Sequence, residues 1–176
     1  MKKIFVVGSL NMDLVIRVSK MPRAGETITG EGFMTNSGGK GANQAVAVAK
    51  LGGNAYMVGC VGREFGAELK GALDGYGVNT DYVRRLDDVS SGIAVITVEN
   101  GDNRIILDRG ANGRINRELI DEALSVASAG DYLMLQLEIS LDMVEYALKK
   151  GREKGMITML NPAPAAALTE ETFGLC

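Results

Sequence analysis

The chain has 176 residues, one domain's length, and is 46% hydrophobic and 23% charged, so a packed core is expected and a disordered chain is excluded. Its net charge is −3 with no basic run, which removes the electrostatic basis for binding nucleic acid. Histidine is absent, which excludes Ser-His and Cys-His nucleophile pairs and histidine metal sites.

Ile4–Val7 is a short apolar run ending at Gly8 and reads as a buried strand. Leu14–Val18 and Glu26–Thr35 are more polar and predict thin, half-exposed strands. Ala42–Leu51, rich in Ala and Val and closed by Gly52-Gly53, predicts a helix with a glycine stop. Ala55–Val61 is a second buried strand. Phe65, Leu69, Ala72, Leu73 and Tyr76 then recur at helical spacing up to Gly77, and Tyr82–Leu86 is a short strand. Ile93–Glu99 and Arg104–Asp108 flank Asn100-Gly101-Asp102-Asn103, a strong hairpin signal. Asn116 is the expected N-cap of the next helix, with Ile115 and Ile120 at the staple positions. Tyr132–Leu137 is a third buried strand. Ser140 is the expected cap of a helix carrying Leu141, Val144 and Leu148 on one face and ending at Lys149-Lys150-Gly151. Met156–Leu160 is a fourth buried strand, and Thr169-Glu170-Glu171 opens a further helix.

Buried strands alternating with helices predict an α/β fold with a parallel sheet. The polar strands within 14–35 and 93–108 do not suit that sheet and are assigned to a small accessory β-layer. No run approaches the ~18 apolar residues of a membrane span, and the five-residue apolar run after Lys2-Lys3 is short of a signal peptide's ~7–15. Cys60 and Cys176 form no disulfide framework. A cytoplasmic protein with no membrane partner is expected.

In open parallel sheets, ligands bind beyond the carboxyl ends of the strands. Gly8-Ser9-Leu10-Asn11-Met12-Asp13 follows the first strand, Glu138 the third and Asn161 the fourth. Turn and cap roles are the competing explanation. Ser37-Gly38-Gly39-Lys40-Gly41-Ala42-Asn43-Gln44 is a glycine turn opening into a small-residue helix, where backbone N–H groups favour hydroxyl oxygens or anions. Gly41 after Lys40 excludes a Walker A loop, and Gln44 in the third glycine's place excludes a dinucleotide fingerprint.

GSLNMD, PRAGET (Pro22–Thr27), GGKGANQAVA (Gly38–Ala47) and GCVGREFG (Gly59–Gly66), followed in order by RGAN (Arg109–Asn112), LQLE (Leu135–Glu138) and LNPAPA (Leu160–Ala165), together resemble the ribokinase family of carbohydrate kinases. The resemblance runs from end to end. It implies a parallel sheet flanked by helices with a small β-sheet lid, and transfer of the ATP γ-phosphate to the 5-hydroxyl of D-ribose. By resemblance Asn11, Asp13, Gly38, Gly39, Lys40, Asn43 and Glu138 face the sugar. A cap role at Ser140 for Glu138, and a solvated first-turn role for Lys40, remain the alternatives. Mg2+ is implied with ATP, K+ is the implied monovalent activator, and the lid implies a homodimer. The family's GAGD motif, which carries the catalytic aspartate and anion hole, is missing. Ser128-Ala129-Gly130-Asp131 lacks its first glycine and precedes a strand. The expectation is therefore the N-terminal portion of a ribokinase-like domain, truncated on its C-terminal side. It would hold the sugar half with no catalytic or metal residue and be inactive alone. A non-catalytic sugar-binding or interaction module, or another sugar kinase of the family, is the alternative.

Overall fold

The structure is a computed structural model describing residues 1–176. Five strands form one parallel sheet: β1 (Lys3–Val7), β4 (Asn54–Val61), β5 (Asn79–Arg85), β8 (Tyr132–Leu135) and β9 (Ile157–Leu160). Their order is β5-β4-β1-β8-β9. Alternation along β1 divides the core. Val6 joins a cluster with Ala42, Ala45, Leu69 and Leu73 of the helices α1 (Lys40–Lys50) and α2 (Gly66–Gly75). Phe5 and Val7 face the opposite way. They join Leu119, Ile120, Val144 and Leu148 of α3 (Arg117–Ser125) and α4 (Leu141–Glu153). Helices thus cover both faces, which is why these strands read as continuous apolar runs. Each fully buried Val, Leu, Ile or Phe contributes about 1.5–3 kcal/mol.

The sheet order reverses at β1: the chain first adds β4 and β5 on one side, then β8 and β9 on the other. The crevice outside the carboxyl ends of β1 and β8 is therefore the topological switch point, where such sheets take ligands. β9 is an edge strand and leaves Ile157 and Met159 exposed.

The polar strands form a separate four-stranded sheet of β2 (Asn11–Val18), β3 (Glu31–Gly38), β6 (Gly92–Glu99) and β7 (Asp102–Asp108). Its order is β3-β2-β6-β7, with only β2 and β6 parallel. Asn100-Gly101 is the two-residue turn between β6 and β7. Both residues have positive φ, 51° and 83°, the twist a tight hairpin needs.

Several expected boundaries shift. Residues 26–30 are loop, and the strand starts at Glu31. Asn11 and Asp13 lie on β2 instead of in a turn. β8 stops at Leu135, because the Leu137 N–H turns away to the Ala163 carbonyl. Asn116 caps α3 through a 3.0 Å bond from Leu119 N–H to its Oδ1, and Ile115 and Ile120 are both in the core. Ser140 holds the N-cap position of α4 but its hydroxyl makes no capping bond. The final helix, α5 (Glu170–Gly174), is capped by Thr169. No helix is long and apolar enough to cross a membrane.

Candidate functional site

The site grows from the first turn of α1. Gly39 is its N-cap with φ of 95°, a conformation that strains any residue with a Cβ. A Cβ there would also lie 2.7 Å from the Ser9 carbonyl and 2.8 Å from Asn11 N. The glycine turn can therefore pack directly on the chain leaving β1. The first N–H of this helix points at the carboxylate of Glu138, just past β8. Lys40 N–H donates to Glu138 Oε2 at 3.0 Å. The Ser9 hydroxyl donates to the same oxygen at 2.5 Å, and Asn11 Nδ2 lies 3.4 Å away. Glu138 Oε1 stands 3.7 Å from the Lys40 ammonium. Glu138 is thus a helix cap, but of α1 and not of the helix after Ser140. Lys40 is paired with Glu138 while its side chain stays 37% exposed.

Asp13 differs from Glu138. It is half-buried, and no donor of the chain bonds to its carboxylate. Burial first, and the Glu138 charge second, hold its pKa above the ordinary aspartate value. An ionisable group desolvated without a partner is a signature of a working site. Gly38 is what gives this carboxylate room: a Cβ there would sit 2.5 Å from Asp13 Oδ2.

Asn11, Asp13, Gly39, Lys40, Asn43 and Glu138 line one cavity of about 380 Å³. Gly38 lies behind Asp13, outside the lining. Facing the polar floor is an apolar wall that the sequence reading did not resolve into residues. Register places Ala94 opposite Leu107 and Ile96 opposite Ile105, and all four line the cavity with Pro164. The signal for them was present, since alternate residues of a strand share a face. Ser9 and Asn112 were also missed as partners of site residues. A second cavity of about 230 Å³ adjoins the first, shares Asn11 and Glu138, and reaches Arg109 and Asn112. Nowhere do three or more His, Cys, Asp or Glu side chains gather to hold a metal ion.

Two carboxylates, an ammonium and two amides facing a small apolar wall suit a small ligand rich in hydroxyls and bearing a C–H face. For such a ligand Asp13 offers an acceptor, and Lys40, Asn11 and Asn43 offer donors.

Known proteins share this sequence and fold. The profile of the pfkB family carbohydrate kinases matches residues 1–175. The ribokinase of Schizosaccharomyces pombe is 45% identical, over 100% of this chain and 58% of its own length. The deoxyribokinase of Salmonella typhimurium is 40% identical, over 92% of this chain and 54% of its own. The structure of Arabidopsis thaliana ribokinase complexed with ribose and ATP superposes with a TM-score of 0.79 at 34% identity, covering 90% of this chain and 53% of that one. The chain spans just over half the length of the curated relatives it matches.

Proposed function

The chain belongs to the pfkB family of carbohydrate kinases, and we propose that it supplies the sugar-binding half of a ribokinase, which transfers the γ-phosphoryl group of ATP to D-ribose and gives D-ribose 5-phosphate. The observation that carries the proposal is the pairing of the unpartnered Asp13 carboxylate with the Glu138–Lys40 pair in one cavity at the switch point. A furanose presents adjacent hydroxyls that such acceptors hold, and the Ala94, Ile96, Ile105 and Leu107 wall covers its apolar face. Phosphoryl transfer depends on positioning and on charge stabilisation. On this reading the residues of this chain do the positioning: they hold the sugar with one hydroxyl directed toward the donor and keep water away from it. ATP is the proposed donor, with Mg2+ and a monovalent cation such as K+ as its companions. This chain gathers no cluster of three or more carboxylate or thiol side chains for an ion. Having no GAGD tract, the chain alone is proposed to bind sugar without turnover. The second sheet acts as a lid in this scheme. Exposed Phe33, Val95 and Ile106 on its strands favour a homodimer contact through it.

Deoxyribose is the second reading, favoured by the 40% identity to a deoxyribokinase. Calorimetric titration of the chain with D-ribose and 2-deoxy-D-ribose tests both. Saturable heat with ribose at millimolar concentration or below is expected; no heat with either pentose overturns the proposal. Asn43→Ala is expected to weaken pentose binding about tenfold, the worth of one hydrogen bond, while ATP affinity of the whole protein stays unchanged. An equal loss of both affinities would assign Asn43 a structural role.

A further inference from the structure

We infer that Asn112 is a positioning residue that fixes which end of the Asn11 amide faces the sugar cavity, an inference that rests on the sugar-binding reading above. Asn112 is 1% exposed and Asn11 4%. The side-chain amide of Asn112 is docked on the backbone of Leu10, in the link between β1 and β2. Its Oδ1 accepts from Leu10 N–H at 2.9 Å, and its Nδ2 donates to the Leu10 carbonyl at 3.1 Å. An amide can usually be turned end for end without a visible difference. This one cannot, because a backbone N–H only donates and a backbone carbonyl only accepts. The second proton of Asn112 Nδ2 goes to Asn11 Oδ1 at 2.8 Å. That oxygen is therefore occupied, and Asn11 presents its Nδ2 to the cavity, on the side of Glu138 Oε2.

Polarity thus passes from the Leu10 backbone through two buried amides to the ligand. Gly92 leaves the space for it: a Cβ at that position would overlap both Asn112 Nδ2 and Asn11 Oδ1. The consequence is specificity. With Asn11 held as a donor beside the two carboxylate acceptors, the cavity offers one fixed N–H to a sugar oxygen. A pentose lacking that oxygen leaves the N–H unpaired.

Asn112→Asp tests this with almost no change of shape. A carboxylate still accepts from Leu10 N–H, but its other oxygen meets two acceptors, the Leu10 carbonyl and Asn11 Oδ1. Asn11 relieves the conflict by turning its Nδ2 toward the new carboxylate, which puts Oδ1 into the cavity. Ribose affinity is expected to fall roughly ten- to a hundredfold. The diagnostic readout is a panel of ribose and its 2-, 3- and 5-deoxy analogues. In the unchanged protein, loss of the hydroxyl that Asn11 serves weakens binding about tenfold or more; in N112D that one penalty disappears while the others persist. Uniform weakening across the panel, or unaltered ribose affinity, overturns the inference.

A measurement on the unchanged protein stands if N112D does not fold. In side-chain amide NMR, the Asn112 Nδ2 protons should exchange slowly with and without ribose, and the Asn11 signal should shift when ribose is added. Fast exchange at Asn112, or a still Asn11 signal in protein that binds ribose, overturns the inference alone. Absence of any ribose binding by the unchanged protein overturns the functional reading first, and this inference with it.

Discussion

Asp13→Asn should lower ribose affinity about ten- to a hundredfold, read by titration, and yet melt no earlier than the unchanged protein at neutral pH. The loss of affinity follows from a charge-assisted hydrogen bond, worth ~1.5–3 kcal/mol, being replaced by a weaker neutral one in a desolvated place. The unaltered or improved stability follows from linkage. Burial, and then the charge of Glu138, raise the Asp13 pKa in the fold above its unfolded value. Asp13 therefore favours the fold only while protonated. That contribution is complete below the ordinary aspartate pKa and is lost as pH rises through the raised value. At neutral pH the ionised carboxylate is a cost the fold bears, and an amide of the same shape removes it. Binding runs the other way with pH: ribose affinity should decline on acidification at a higher pH than an ordinary aspartate would give, and this limb should be absent in D13N. An early-melting D13N with normal ribose affinity would show Asp13 to be structural.

Why some of this was legible in sequence and some not comes down to the range of each interaction. The parallel strands announced themselves because both faces of β1, β4 and β8 are covered by helices, so nearly every residue is apolar. The cap of α3 was legible because a cap acts over three residues, and the start of α5 was legible from Thr169-Glu170-Glu171. Ser140 misled for the same reason: its type and place suit a cap, but nothing within three residues reveals that its hydroxyl makes no capping bond. The cap of α1 was beyond local reasoning, since Glu138 is 98 residues from Lys40. So was the role of Asn112, 102 residues from the backbone it docks on. The individual polar residues of the site were visible through motif resemblance. Their division of labour was not: that Glu138 is paired and Asp13 unpaired is a fact of packing. The apolar wall lay between these cases. Ala94, Ile96, Ile105 and Leu107 alternate as strand residues should, but which face meets the cavity depends on how the second sheet leans over the first.

Glu138→Ala should differ from Asp13→Asn by damaging fold and binding together. One oxygen of Glu138 takes the Ser9 hydroxyl and the first N–H of α1, with Asn11 nearby, and the other faces the Lys40 ammonium. Truncation strands a hydroxyl and a helix-end N–H in a nearly closed place. Each unmet donor costs about 1–3 kcal/mol. Water reaches the Lys40 ammonium, which keeps the ionic part of the loss small. A total of about 2–4 kcal/mol is expected, measured by urea denaturation. Glu138→Gln should fall between, since its amide oxygen still accepts while its NH2 opposes Lys40. The two carboxylates are also coupled, and this separates the contributions to Asp13. Without the negative charge of Glu138, the acid limb of ribose binding should move to lower pH in E138Q. It should not reach the ordinary aspartate range, because burial is the larger cause of the raised value and Gln fills the same space. An acid limb that stays in place would mean the two groups do not sense each other across the cavity. Urea stability equal to that of the unchanged protein in E138A would mean that Glu138 is not what ties the start of α1 to the end of β8.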